Sequence, residues 1–452
     1  MRCPLLPAFR LALVAAALGS ATNAFAQGVE ALDPLDQWGM WRGPLATGAA
    51  PHADPPTEWS EDKNVRWKAA LPGLGHSTPI VWGDRIFVTA AEEAGGEVKP
   101  EFNRPGEHDN FPLTHKHRFL VLALDRATGA VLWKSAVREA VPHEGGHVSG
   151  SHASASPVTD GERVYAFFGS NGLYCLEAKG GAVLWSADLG KMHTKHGHGE
   201  GASPALHGGT LVVNWDHQEQ SFAAAFDAKT GAEKWRRDRD EPTSWATPVV
   251  VEHGGRTQAI ISATNRIRAY DLETGEVIWE CGGLPNNVVA SPVAADGIVV
   301  ATGSYEKQAM LAINLDGAKG DITGSDQILW RRIRRTPYVP SPLLTGGHLY
   351  FFTHYQGVLT RADLRTGEEM AGPFRLPSIR NIYASPVAAA GRLYVTDLDG
   401  QTLVITDAET PEPIALNKLD EPIAASAAIA GRDLFLRGDR HLYCLREDEK
   451  AE

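Results

Sequence analysis

The stretch Leu122-Ala123-Leu124-Asp125-Arg126-Ala127-Thr128-Gly129-Ala130-Val131-Leu132-Trp133 decides the fold. An apolar strand runs into a turn that Asp125 opens and Gly129 completes, and a second strand ends on Trp133. That order of residues predicts a β-hairpin with glycine at the positive-φ position. The phrase returns at Glu177 to Trp185, Asp227 to Trp235 and Asp271 to Trp279, with the acidic residue eight positions before the tryptophan each time. A fixed period of this kind overrides what chain length alone would suggest about domain number.

Working outward, a second phrase precedes each hairpin: a small residue, Ser or Thr, then proline, a short strand, a Gly-containing turn and an aromatic-rich strand. Its prolines are Pro79, Pro157, Pro204, Pro248, Pro292, Pro342 and Pro386, and Ala424-Ala425-Ser426-Ala427 is an eighth copy without proline. Proline is tolerated at the first residue of a strand, so these positions mark where an innermost strand begins. From Pro157 onward they lie 47, 44, 44, 50 and 44 residues apart, the length of one four-stranded propeller blade. The gap of 78 residues from Pro79 to Pro157 places a large insertion in the first blade. Leu442-Tyr443-Cys444-Leu445 has no Trp strand after it, and Asn64-Val65-Arg66-Trp67-Lys68 has no hairpin before it. Joined, they complete a blade and remove the open edge. The fold expected is an all-β, eight-bladed propeller of four-stranded antiparallel blades closed by N- and C-terminal strands, with seven blades as the alternative. Trp67, Trp133, Trp185, Trp235, Trp279 and Trp330 are expected to dock neighbouring blades.

The flanks set the compartment. Arg2 and Arg10 precede and flank an apolar run from Leu11, and Ala24-Phe25-Ala26 supplies a small-x-small site, so residues 1–26 read as a Sec-type signal peptide. Residues 27–63 then form an N-terminal extension, 64–446 the propeller and 447–452 a C-terminal tail. Without the leader, 41 basic face 55 acidic side chains, a formal charge of −14 that argues against a nucleic-acid partner. No later run is long enough for a transmembrane helix. The expected location is periplasmic or secreted, and the expected state a monomer. Cys175, Cys281 and Cys444 are odd in number and widely spaced, which predicts buried free thiols.

The repeat Ala-Leu-Asp-x-x-Thr-Gly-x-x-x-Trp resembles that of the pyrroloquinoline-quinone (PQQ) propellers, which include alcohol dehydrogenases and a noncatalytic propeller that helps assemble outer-membrane proteins. Trp38-Gly39-Met40-Trp41-Arg42-Gly43-Pro44 and Pro72-Gly73-x-Gly75-His76-Ser77-x-Pro79 resemble exported PQQ-like propellers. The resemblance spans residues 64 to 446 and implies the fold; fold does not fix function. The enzymes of this family carry a vicinal cysteine pair and a calcium site beside the quinone, and no two cysteines are adjacent here. No position matches the calcium ligands, so the sequence assigns no PQQ site.

Loop length maps the faces of the ring. With strands lettered A to D from the centre outward, A-to-B and C-to-D turns emerge on one face, B-to-C and D-to-A connections on the other. Three long insertions fall on the second face: Glu92 to Lys116, Ser135 to Ala153 and Ala187 to Gly201. With His117 they hold nine of the 17 histidines, namely His108, His115, His117, His143, His147, His152, His193, His196 and His198. Imidazole is the commonest transition-metal ligand, and His143, His147, His152, His193, His196 and His198 are the metal candidates, for Zn, Cu or Fe. The spacing matches no closed zinc motif, and solvated loop histidines are the other reading.

Arginines gather at Arg236, Arg237 and Arg239 and at Arg331, Arg332, Arg334 and Arg335, near the strand entries Trp245, Tyr338 and Tyr383. Trp245, Arg334, Arg335, Tyr338 and Tyr383 are the ligand candidates, for a carboxylate, sulfate or glycan. The function expected is a noncatalytic exported propeller that binds a ligand or protein partner, in a scaffold or assembly role, through the loop face of blades 1–3. The alternative is a periplasmic oxidoreductase of quinoprotein type or a metal-dependent enzyme.

Overall fold

The hairpin turns form as their residues require. The Asp125 carboxylate accepts from the Thr128 N–H and hydroxyl at 2.8 and 2.7 Å, and the Gly129 N–H returns to the Asp125 carbonyl. Gly129 has φ 74°, and a Cβ there would lie 2.6 Å from the Trp67 ring. Glycine is therefore required twice, by the turn and by the neighbouring blade's indole. The same stacking joins Trp133 to Gly181, Trp185 to Gly231, Trp235 to Gly275 and Trp330 to Gly367. In these joints the indole N–H donates to a carbonyl of the next blade's turn (Arg126, Ala178, Ala228, Leu272 or Leu364) at 2.9–3.0 Å.

Trp279 is the exception. The hairpin of blade 5 is elongated and lays Gly320–Asp321 parallel to Val277–Cys281 as a fifth strand of blade 4. Trp279 donates instead to Gln258 Oε1 within its own blade, at 2.9 Å.

The computed structural model describes Met1 and residues 32–98, 108–111 and 113–447. The expected signal peptide, most of the tail and the middle of the blade 1 insertion lie outside these residues. Eight propeller blades, each built on four antiparallel strands, follow one another along the chain. Blade 1 comprises Ile80–Trp82, Arg85–Glu97, His115–Asp125 and Val131–Ala140; blade 2 comprises Val158–Thr159, Arg163–Phe167, Leu173–Glu177 and Val183–Ala187. In blade 8, Val65–Ala70 pairs with His441–Leu445, and Trp67 lies opposite Cys444. The ring is closed by both ends of the chain, and the seven-bladed arrangement is excluded. Cys175, Cys281 and Cys444 are free and buried, and burial raises each thiol pKa, to about 12 for the first two.

The Ser/Thr-Pro phrase does more than start strands. Each hydroxyl accepts from the backbone N–H of the preceding blade's counterpart: Ser156 from Thr78, Ser203 from Ser156, Thr247 from Ser203 and Ser291 from Thr247, all at 2.8–2.9 Å. Ser341, Ser385 and Ser426 continue the series at 2.9 Å. The Thr78 hydroxyl closes it on the Ser426 carbonyl at 3.0 Å. A belt of hydroxyls thus encircles the channel at the start of every A strand.

The N-terminal segment crosses the A-to-B turn face. Trp38 is fully buried and exchanges two backbone hydrogen bonds with Val81. On the far side the Arg42 guanidinium donates to the carbonyls of Thr47, Pro342 and Pro386 at 2.8–3.1 Å. Burial without a carboxylate lowers the Arg42 pKa to about 9. Ala50 and Ala388 extend the contact to blade 7, where the Ala50 N–H meets the Ala388 carbonyl at 2.8 Å.

Candidate functional site

Because that segment lies across one end of the ring, the channel becomes a cup. Its cavity of about 280 Å³ has Trp41 on its lining beside the hydroxyl belt. Toward the loop face its wall is made by His76, His147, Ser149, His198, Glu200, Trp245, Tyr338 and Tyr383. Trp245 is held by its indole N–H on the Gly199 carbonyl at 2.7 Å, which leaves the ring as an apolar plate. Its loop is fixed from below by a buried pair, Arg239 on Asp216 at 2.7 Å, with Ser244 donating to the same carboxylate at 2.6 Å.

Tyr338 and Tyr383 belong to a larger array. Tyr305, Tyr338, His354, Tyr355 and Tyr383 form a row of rings with successive centroids 5.7, 5.0, 4.8 and 5.8 Å apart. The row follows the loop face of blades 5–7. Three of its members, Tyr305, His354 and Tyr355, sit after B strands, where the repeat gives no signal for them.

Arg334 and Arg335 do not line the cavity. Both are exposed, and Arg335 pairs with Glu369 at 2.7 Å. Of the earlier group, Arg236 pairs with Glu233, and Arg237 donates to the carbonyls of Gly275 and Thr274. Most of these arginines are engaged by ion pairs and turn carbonyls at blade edges, and the surface pairs among them carry little energetic weight.

Eight of the nine loop histidines fall into three groups, and His115 instead meets the Thr114 hydroxyl at 2.9 Å. His108, His147, His196 and His198 form a chain of rings 4.5–5.3 Å apart, stitched by the His147 N–H to the His198 carbonyl and by His198 Nε2–H to the His108 carbonyl. Asn110–Phe111 pairs with Gly146–His147, so the blade 1 insertion and the connection between blades 1 and 2 share a small sheet. Burial and the neighbouring His147 lower the His198 pKa to about 4. His152 forms a second group with Phe111 and His117 at 5.1 and 4.9 Å, and burial lowers its pKa to about 3. His143 and His193 form the third, with ring centroids 5.6 Å apart and Glu144 beside them.

Two acids here, buried Glu144 and half-buried Glu200, carry no sequence signal. Glu144 accepts from Thr194, and Glu200 accepts from the Ser170 N–H at 2.7 Å and from its hydroxyl. Burial pushes the Glu200 pKa up to about 8.

Against this geometry, a PQQ-repeat family model described as outer membrane protein assembly factor BamB matches residues 117–372 and 284–452. The chain belongs to this family. Among curated relatives of the family's repeat, the outer membrane protein assembly factor BamB of Yersinia pestis is 26% identical over 248 residues, covering 51% of this chain and 56% of that protein. Tetrathionate hydrolase of Acidithiobacillus ferrooxidans is 23% identical over 298 residues, covering 60% and 54%. The chain spans about half the length of the curated relatives it matches. Quinohemoprotein alcohol dehydrogenase from Comamonas testosteroni shares the fold with a TM-score of 0.62, at 10% identity over 93% of this chain and 82% of that one.

The residue set that the quinoprotein resemblance implies is not on the cavity wall. All three cysteines of the described chain sit inside blade strands, and the lining offers hydroxyls, imidazoles, aromatic rings and one carboxyl.

Proposed function

We propose that this protein is an exported, monomeric, noncatalytic binding propeller that receives a hydroxyl-rich ligand of the glycan class in its cup, through the loop face that blades 1–3 build up. The observation that carries this reading is the cup itself. It is closed by Trp41 and lined by a belt of hydroxyls, and its mouth holds the flat rings of Trp245, Tyr338 and Tyr383. A few convergent polar groups among aromatic plates are what a small-molecule site uses to orient its occupant. Among the two ligand chemistries expected, the wall favours the glycan over the anion, because Arg334 and Arg335 lie away from it. Family membership supports a location in the periplasm or outside the cell.

Binding of an oligosaccharide panel to the purified protein tests this, read by calorimetry beside small carboxylates and sulfate. At least one saccharide should bind, and Trp245→Ala or Tyr383→Ala should weaken it by about tenfold or more, a change of about 1.4 kcal/mol. Saccharide binding that is absent, or unchanged in both variants, overturns the reading.

A second reading, a protein partner on the same loop face, rests on the family match. It predicts that His193→Ala/His196→Ala/His198→Ala weakens capture of a partner while saccharides leave that capture unaffected.

A further inference from the structure

We propose that His143, Glu144 and His193 form a binding site for one divalent transition-metal ion of the Zn²⁺ class. One ring nitrogen of each histidine and a Glu144 carboxylate oxygen all lie within 4.8 Å of one another. Contraction by about 1 Å brings them onto metal–ligand distances of about 2.0–2.2 Å. Two imidazoles and a carboxylate are a donor set for Zn, Fe or Co, whereas Mg and Ca prefer all-oxygen shells.

The surroundings are those of ligands held in advance. His143 Nε2–H donates to the Met192 carbonyl, and His193 Nε2 faces Glu219 Oε1 at 3.4 Å. A metal-bound imidazole is normally oriented in this way, by a carbonyl or carboxylate on its other nitrogen. Glu144 is buried, and its two oxygens accept from the Thr194 N–H at 3.2 Å each, with the Thr194 hydroxyl at 2.5 Å. These bonds fix the carboxylate facing the imidazoles.

Among the described residues, the other such cluster, Asp33, Asp36 and His52, has one imidazole and two carboxylates and is exposed throughout. In the four-ring chain, His147 Nδ1 is engaged by Ser149 at 2.7 Å, His108 Nδ1 by Asp109 at 3.0 Å and His198 Nε2 by the His108 carbonyl. Those rings form a hydrogen-bonded wall whose carboxylate, Asp109, is exposed.

Three protein ligands leave a position open to water or a small anion. A cavity of about 40 Å³ lies against His143, Glu144, Thr194, Glu200 and Trp245, room enough for a water molecule. The ion would join the connection from blade 1 to blade 2, which carries His143 and Glu144, to that from blade 2 to blade 3, which carries His193. It sits behind the wall of the cup, so the site stands independently of what the cup binds.

The test uses the full mature chain stripped with chelator, loaded with Zn²⁺ or Co²⁺ and dialysed. One equivalent should remain by elemental analysis, Co²⁺ should give visible bands of a low-coordinate site, and Zn²⁺ should raise Tm. His143→Ala/His193→Ala, and separately Glu144→Gln, should weaken binding by more than about 100-fold, beyond the 10–100-fold that loss of an outer partner gives. Glu219→Gln should cost about tenfold, and His196→Ala/His198→Ala should leave the equivalent in place. The altered side chains lie outside every blade strand, and circular dichroism verifies folding; if the double variant does not fold, Glu144→Gln decides alone. Retention of the metal by folded His143→Ala/His193→Ala or Glu144→Gln protein overturns the proposal. So does a parent protein that holds metal no more tightly than those variants.

Discussion

The hydroxyl belt and the histidine loops are built from opposite kinds of sequence. Around the belt blades 2–8 contribute the same atom to the same bond, Ser or Thr accepting from the blade before, and Thr78 of blade 1 closes the ring by donating to the Ser426 carbonyl, so symmetry supplies much of the stability. On the loop face of blades 1–3 no segment repeats another, and contacts run between unlike partners, such as Asn110 to the His196 carbonyl and Thr194 to Glu144. Repetition encodes closure, and departures from it encode a surface. A substitution in the first region should therefore register in stability, and one in the second in binding or pH response.

The largest effect should come from the closure. Removing residues 33–70 deletes Val65–Ala70 and the segment under the channel, which exposes His441–Leu445 as an open edge. Cooperative thermal unfolding should be lost, and a deletion variant that melts as the parent does would break the comparison at its root. Next is the outer joint: Trp235 is buried, stacks on Gly275 and donates to Leu272, so Trp235→Ala should cost about 3–5 kcal/mol in urea unfolding. Smaller is a single link of the belt. Ser291→Ala leaves the buried Thr247 N–H without its acceptor and should cost about 1–3 kcal/mol.

The effect on the loop face depends on pH and has a defined sign. Burial holds the pKa of His152 at about 3 and of His198 at about 4, against 6.5 in the unfolded chain. Their contribution is complete above pH 6.5. It is lost as pH falls toward about 4, because the unfolded chain takes up protons that the folded one refuses. His152→Phe should flatten that acid limb in denaturant titrations across this range; an unchanged slope would remove His152 from the account.

Much of the ring was legible because its signals recur. Asp-x-x-Thr-Gly with a following Trp gave the outer hairpin, and the unmatched Trp67 and Leu442 segments gave the closure. In the Ser/Thr-Pro phrase the proline marks a strand start in sequence, whereas the hydroxyl before it makes the belt and carries no signal of its own. The site was less legible. Trp245, Tyr338 and Tyr383, at the A-strand entries, lie on the cavity wall, whereas Arg334 and Arg335 lie off it and Arg335 pairs with Glu369. Glu144 and Glu200 are single acids in Gly-rich loops, and only burial distinguishes them from solvated ones. The nine histidines looked like one cluster because sequence cannot show that His147 faces His198 while His143 faces His193.

The pairing of Val65–Ala70 with His441–Leu445 also sets an order of events. The first strand made is the last to find its partner, and it must stay unpaired until Leu445 has emerged. Over that interval an apolar edge with Trp67 at its centre is available to other chains. Once the whole polypeptide is present, the two ends meet by a single long-range encounter.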